Sequence, residues 1–197
     1  MTTPRRFSQA ISEGDGISVI AEVADAQAAR SAAMQGAEGL SIAGWVAGLP
    51  EATSLPILWR GGGPPTEAQA AGADACLLAA APLQDDGDHL ERLHAEASEL
   101  GLDCVVQVRD EEELELVLER LDPDILLLCG ERPNGHEAPL DAILRLLGDV
   151  PAGKLAVADV AVYDRAEIAE LERAGVDAVI VAAGSVAALV GAAPPEV

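Results

Sequence analysis

Lysine and aromatic residues are scarce in this sequence. Lys154 is the one lysine among 197 residues, and aromatic side chains make up 2% of the chain. A single amine limits Schiff-base and lysine-mediated proton chemistry to one position. The shortage of aromatic rings leaves little surface on which bases or ring-shaped ligands could stack. The core must therefore consist of Ala, Val, Leu and Ile, which suits closely packed strands and helices.

Positive charge is scarce as well. Lysine and arginine number 12 against 34 aspartates and glutamates, which gives a formal net charge of −22. A field of this sign repels nucleic-acid backbones and anionic lipid headgroups, so we expect neither a nucleic-acid nor a membrane partner. The same field disfavours a dianionic phosphate ligand unless a local cluster of donors overrides it.

Paired cysteines, metal-binding motifs and long apolar runs are all missing. Cys76, Cys104 and Cys129 each fall within a short apolar run, which is typical of reduced core thiols in a cytosolic protein. No CxxC or HxxxH motif occurs, and the histidines, His89 among them, are expected on the solvated surface. We therefore predict no metal and no cofactor. No apolar run approaches the ~18 residues of a membrane span, so a cytoplasmic location is expected.

Eight short apolar runs alternate with amphipathic stretches along the chain. Near-continuous apolar strands of this kind indicate parallel strands covered by helices. The predicted strands are Gly16–Val23, Ala37–Ala43, Leu55–Trp59, Ala73–Ala80, Leu102–Val108, Asp124–Cys129, Lys154–Asp159 and Val176–Ala182. Eight β/α units predict a single compact (β/α)8 TIM barrel. An open doubly wound sheet is the alternative, but the first strand lacks the glycine-rich dinucleotide fingerprint.

The length of the chain constrains the barrel further. The fold usually takes ~200 to 400 residues, so the loops that follow the strands must be trimmed. We assign residues 1–16 to a short lead-in segment and residues 17–197 to the barrel. Trp45 lies in a short apolar connection after the second strand, where it could be an exposed association site or could cap the barrel.

Several segments together resemble the indole-3-glycerol phosphate synthase family, whose members close a ring with decarboxylation and dehydration in tryptophan biosynthesis. The segments are FSQAISEGDGISVIAEV (7–23), LPILWR (55–60), AAGADACLLAAAPL (70–83), ELGLDCVVQVRDEEELELVLE (99–119) and KLAVADVAVYDRAEIAELERAGVDAVIV (154–181). Their order and spacing carry the resemblance over most of the chain. The resemblance implies a TIM-barrel lyase that needs no cofactor.

The family's catalytic positions are largely replaced in this sequence. Glu22 matches the family pattern, whereas Ala24 stands at a lysine position and Arg60 at the position of the catalytic lysine. Gln107 replaces a carboxylate, and Asp159 replaces a glutamate. A guanidinium stays protonated above about pH 12 and so is a poor proton donor. An amide cannot accept a proton as a carboxylate does.

The phosphate-binding positions of the family are also altered. Val160 and Ala161 add side chains where backbone N–H groups would need to approach a phosphate. Gly184 and Ser185 still allow an anion site at the start of a short helix. A small phosphorylated metabolite is therefore the expected ligand if one binds, and the sequence predicts no particular protein partner.

Two interpretations of the altered site stay open at this point. Glu22, Gln107 and Asp159 should converge with Arg60 at the carboxyl ends of the strands. They could form a residual polar site in which Arg60 anchors an anion, or a polar plug in which Arg60 pairs with Glu22 or Asp159. The sequence thus predicts a synthase-like barrel without synthase activity, either a pseudoenzyme or a vestigial small-ligand binder. The alternative is an active synthase that uses substitute residues.

Overall fold

The eight predicted strands close into a barrel. The structure is a computed structural model that describes residues 7–14, 16–79, 88–130 and 138–190. All strands are parallel and follow chain order around the barrel, and the last pairs with the first. They are β1 (Ser18–Glu22), β2 (Gly39–Ile42), β3 (Ile57–Trp59), β4 (Ala75–Ala79), β5 (Asp103–Val108), β6 (Ile125–Cys129), β7 (Leu155–Asp159) and β8 (Ala178–Ala182). The predicted (β/α)8 barrel is confirmed, and the open sheet is excluded.

Helices cover the outside of the barrel. Within the described ranges they are α1 (Phe7–Ser12), α2 (Ala26–Met34), α3 (Leu49–Ala52), α4 (Pro65–Ala70), α5 (His89–Glu99), α6 (Glu111–Arg120), α7 (Pro139–Leu147), α8 (Arg165–Ala174) and α9 (Val186–Leu189). Three begin after an aspartate, Asp25, Asp110 or Asp164, whose carboxylate accepts hydrogen bonds from backbone N–H groups of the first turn. None of the described helices has the length and apolar character needed to cross a membrane.

Two of the described connections at the carboxyl end of the barrel are short. Three residues, 23–25, join β1 to α2, and the segment after β2 forms only the single-turn helix α3. The exposed fraction of Trp45 in that segment is 67%. Trp45 is therefore largely exposed to solvent, and its role as an association site or as a cap stays a prediction.

Aspartates at the amino end tie neighbouring strands together. The Asp74 carboxylate accepts a 2.9 Å hydrogen bond from the Ile57 N–H, and the Asp177 carboxylate accepts one of 2.7 Å from the Ala156 N–H. Each aspartate also donates its own N–H to the carbonyl of the residue that it clamps. Part of the chain's acidity is therefore structural and lies far from the carboxyl ends of the strands.

Two apolar layers hold the barrel together. The larger one lies between the strands and the helices, and the smaller one fills the barrel interior. Phe7 and Ile11 of α1 are both buried in the interior cluster, so α1 packs into the barrel core. Beyond this interior cluster, polar side chains lie at the carboxyl-end rim, which is where barrels of this kind place their sites.

Candidate functional site

Four predicted site residues form one ring at the mouth of the barrel. Interior core residues Ile20, Leu58, Val105 and Val157 lie on β1, β3, β5 and β7. Because side chains alternate along a strand, the residues two positions further on also face inward. These residues are Glu22, Arg60, Gln107 and Asp159. Alternate strands contribute them, as expected for one layer of a TIM barrel.

Arg60 and Asp159 are joined by an ion pair across the mouth. Arg60 Nη2 lies 2.5 Å from Asp159 Oδ2, and the side chains are 21% and 28% exposed. The pair links the end of β3 to the end of β7. Glu22 and Asp159 were the two partners considered for Arg60 in the predicted polar plug. Asp159, and not Glu22, forms the ion pair.

Gln107 has a partner on the neighbouring strand. Its amide nitrogen donates a 3.0 Å hydrogen bond to the sulfur of Cys129 at the end of β6. Burial raises the pKa of the Cys129 thiol to about 11, although the bond from Gln107 and the charge of Arg60 both act to lower it. Cys129 is therefore a protonated thiol at neutral pH and a weak nucleophile.

Glu22 is the one member of the ring without a polar partner in the described part of the chain. Its side chain is exposed at the end of β1. Its neighbour in register on β2 is Ser41, which is fully buried and whose hydroxyl makes no hydrogen bond. On the β1–β2 side of the mouth, the Glu22 carboxylate and the Ser41 hydroxyl therefore accept no hydrogen bond from the described residues.

A cavity of about 230 Å³ opens beside Arg60 and Gln107. Apart from these two polar groups its walls are mainly apolar and come from β4, α5 and the glycine-rich segment after β3. The remaining lining residues are Gly62, Gly63, Leu77, Leu78, Ala79, His89, Leu90 and Leu93. The volume is below the ~300–1,000 Å³ of typical ligand sites, so only a small molecule fits.

His89 and Arg109 are functional candidates that sequence reasoning missed. His89 is exposed as predicted, but it borders the cavity. Arg109 directly follows β5, and its Nη2 lies 2.5 Å from the Glu113 carboxylate, which raises the pKa of the guanidinium. Its position immediately after a predicted strand, in VQVR, was a usable signal.

The predicted phosphate-binding residues lie at the rim. Ala183–Ser185 form a 3-10 turn between β8 and α9. A side chain added at Gly184 would meet no atom within 4 Å, so the backbone there is open to approach. The Ser185 side chain makes no capping bond to α9. Whether this turn binds phosphate stays a prediction.

The lone lysine lies at the opposite end of the barrel. Lys154 Nζ donates a 3.0 Å hydrogen bond to the Asp122 carbonyl and lies 2.6 Å from its carboxylate. Asp122 belongs to the turn before β6, and Lys154 immediately precedes β7. The amine is therefore held away from the mouth.

The described mouth residues carry more negative than positive charge. Arg60 is paired with Asp159, Arg109 is paired with Glu113, and Glu22 adds a negative charge. Among the described residues, no group of three or more histidine, cysteine, aspartate and glutamate side chains is arranged to hold a metal ion. The site has acceptors and a buried thiol but no surplus of cations.

A closed (β/α)8 barrel with polar side chains at the carboxyl ends of its strands is the architecture of the TIM-barrel proteins, which place their functional sites at this end. Within that class, the family model described as indole-3-glycerol phosphate synthase matches residues 66–188. The chain belongs to the indole-3-glycerol phosphate synthase family.

A curated relative agrees with this assignment. An indole-3-glycerol phosphate synthase from Salinibacter ruber is 37% identical over 115 residues, which is 58% of this chain and 42% of that protein. The match thus spans less than half of the curated relative.

Two solved structures from Pyrococcus furiosus share the fold. A thiamine phosphate pyrophosphorylase has a TM-score of 0.60 at 16% identity and covers 87% of this chain and 88% of its own. A chain of the tryptophan synthase a2b2 complex has a TM-score of 0.56 at 13% identity, with the same coverage of both chains. At these identities the likeness concerns the fold alone.

Proposed function

We propose that this chain is a catalytically silent member of the indole-3-glycerol phosphate synthase family whose barrel mouth binds a small ligand. The observation that carries the proposal is the Arg60–Asp159 ion pair. The resemblance places Arg60 where the family has its catalytic lysine. In this chain that position holds a cation that keeps its proton and is already neutralised by Asp159.

The chemistry of the ring supports the same conclusion. Ring closure needs a proton donor at the substrate carbonyl. Arg60 does not release a proton near neutral pH, and Gln107 has no basic form to receive one. The Cys129 thiol, with its pKa raised to about 11, is a poor acid at neutral pH. Among the described ring residues, Glu22 remains as a carboxylate without a polar partner.

The cavity beside Arg60 supports a small-ligand function. Leucine side chains of β4 and α5 offer an apolar surface, while Arg60 and Gln107 supply polar groups at one side. This combination suits a compact apolar body with one acidic or polar group. A phosphorylated metabolite at Gly184 and Ser185 belongs to the same proposal. Since both described arginines of the mouth are already paired, we expect phosphate affinity no better than ~1 mM.

An active synthase is the second candidate function. Glu22 matches the family pattern in the sequence and has no polar partner within the described residues. Together with Arg60 and Asp159 it could serve as a substitute set if the ion pair opened when substrate bound. This candidate requires Arg60 to exchange Asp159 for the substrate.

Enzyme assay separates the two candidates. The chain is incubated with the anilino deoxyribulose phosphate, and indole fluorescence reports ring closure. We expect no turnover above a buffer control for the unaltered chain, for Arg60→Ala or for the matched variant Arg109→Ala. Turnover that Arg60→Ala abolishes and Arg109→Ala preserves would establish the active synthase instead.

Ligand binding is tested separately, with benzoate and inorganic phosphate as probes. We expect benzoate to shift the NMR methyl signals of the cavity leucines, including Leu78 and Leu93, and Gln107→Leu to weaken that binding. Phosphate should shift the amide signals of Gly184 and Ser185 only at millimolar concentration. Titrations of both probes that leave all of these signals unmoved would remove the ligand-binding half of the proposal.

A further inference from the structure

Two of the three cysteines face each other across neighbouring strands. Cys76 of β4 and Cys104 of β5 are direct partners in the parallel register. Both side chains belong to the apolar layer between barrel and helices, so they point to the same side of the sheet. Adjacent strands lie about 4.8 Å apart. A disulfide requires a Cα–Cα distance of roughly 4.4–6.8 Å, which this pairing satisfies.

The two thiols interact directly. A hydrogen bond between the side chains lowers the pKa of Cys76 and raises the pKa of Cys104, which burial raises further. The pair therefore releases its first proton more readily than the second, and the one proton that remains is shared between the two sulfurs. Cys76 is buried, whereas Cys104 is only partly buried. Cys104 is therefore the sulfur that a reagent in solution can reach.

We propose that Cys76 and Cys104 form a site of reversible oxidation that closes to an intramolecular disulfide on reaction with a small-molecule disulfide. After the pair has lost one proton to solvent, the remaining shared proton moves along the hydrogen bond from Cys104 to Cys76, and the Cys104 thiolate attacks the reagent. The S–S bond of the reagent breaks and releases one thiolate. That thiolate takes up the shared proton. The Cys76 thiolate so formed attacks the Cys104 side of the mixed disulfide and expels the second thiolate, which solvent protonates. Two protein thiols are oxidised and one reagent disulfide is reduced to two thiols.

The cross-link would join the two strands that shape the mouth cavity. Leu77, Leu78 and Ala79 of β4 and Gln107 of β5 all line the cavity, just beyond the cysteine pair along each strand. The helix α5, which supplies the opposite wall, lies within the loop that the disulfide would close. Oxidation should therefore hold the cavity walls together and raise the melting temperature by roughly 5 °C.

Cys129 supplies an internal control. It lies on β6 in the barrel interior, where Gln107 is its hydrogen-bond partner, and it belongs to a different apolar cluster from the other two cysteines. Oxidation that follows the native geometry should leave Cys129 as a free thiol. Oxidation of unfolded chains would distribute cross-links among all three cysteines.

The test uses the folded 197-residue chain with oxidised glutathione as the probe. Free thiols are alkylated after the reaction, and peptides are mapped by mass spectrometry. We expect a Cys76–Cys104 linked peptide, an intact mass lower by two hydrogens, and full reversal by dithiothreitol. Cys76→Ser should instead accumulate a stable glutathione adduct on Cys104, while Cys129→Ser should form the disulfide as the unaltered chain does.

Other results would overturn the proposal. In the unaltered chain, a glutathione adduct on Cys104 that never resolves would show that Cys76 cannot reach it. Cross-links to Cys129 as frequent as those between Cys76 and Cys104 would show that the reaction needs unfolding. Because both readouts come from the unaltered chain, the proposal stays testable even if a variant fails to fold.

Discussion

The Arg60–Asp159 ion pair can be measured by a double-mutant cycle of Arg60→Met, Asp159→Asn and the double variant. Two unit charges about 4 Å apart attract by about 4 kcal/mol at an effective dielectric constant of ~20. The side chains are 21% and 28% exposed, so water screens each charge and desolvation offsets part of the attraction. The expected coupling therefore lies between the ~0.2–1 kcal/mol of exposed pairs and the ~3–5 kcal/mol lost when a buried pair is broken. We expect about 1–2 kcal/mol.

Urea unfolding at equal pH and salt gives the four free energies of unfolding. Each single variant should lose about 1–2 kcal/mol, and the double variant should lose clearly less than the sum. The matched control is the pair of Arg109 and Glu113, whose side chains are 41% and 19% exposed, with an expected coupling of about 0.5 kcal/mol. The comparison requires that all variants have equal m-values, which are the slopes of the free energy of unfolding against urea concentration. A coupling below ~0.3 kcal/mol for Arg60 and Asp159 would refute the reasoning, because Arg60 would then be free to act on a ligand.

Three further predictions concern the lysine, the buried thiol and a tight turn. Lys154→Met should lower the free energy of unfolding, measured in urea, by less than about 1 kcal/mol and leave benzoate binding unchanged. Altered benzoate binding would contradict the placement of Lys154 at the amino end of the barrel. Because burial raises the folded-state pKa of Cys129 to about 11, the unfolded chain loses this proton first and stability falls as pH rises from about 9 to 11. The loss should be on the order of 2 kcal/mol, and an equal pH slope in Cys129→Ala would contradict it. Gly61→Ala should lower the free energy of unfolding by about 1–3 kcal/mol, because the added carbon would overlap the buried Trp59 ring. The matched Gly63→Ala meets only the flexible end of a glutamate, so equal losses would argue against the clash.

The strands could be predicted from sequence because each is a short apolar run between turn residues. The predicted starts are early, however, at Gly16, Ala37, Leu55 and Ala73, where the structure begins pairing two residues later. These leading residues belong to turns that enter the barrel, and hydrophobicity does not distinguish a buried turn residue from a paired one. The boundary drawn between residues 16 and 17 stays a prediction.

The four residues of the mouth ring could also be predicted from the sequence. Once eight parallel strands are in place, the period of two puts Glu22, Arg60, Gln107 and Asp159 at equivalent inward positions. The partner of Arg60 could not be predicted from the sequence, because Glu22 and Asp159 are both carboxylates in the same layer of the mouth. Only the distances across the barrel decide between them.

Side-chain contacts between neighbouring strands were harder to predict from the sequence than the residues of the mouth ring. The bond from Gln107 to Cys129 and the pairing of Cys76 with Cys104 depend on strand register, which the closed barrel sets as a whole. Each cysteine by itself predicts a buried thiol and nothing more. The register turns one of them into a partner of the mouth ring and the other two into a redox pair.

Single-turnover kinetics test the loss of synthase chemistry most directly. The chain, in large excess over the anilino deoxyribulose phosphate, is mixed with it and followed by indole fluorescence and by mass spectrometry of the product. With Arg60 held by Asp159 and the only lysine at the other end of the barrel, we predict ring closure no faster than in buffer. Stoichiometric conversion of the bound substrate to the indole product would contradict the account.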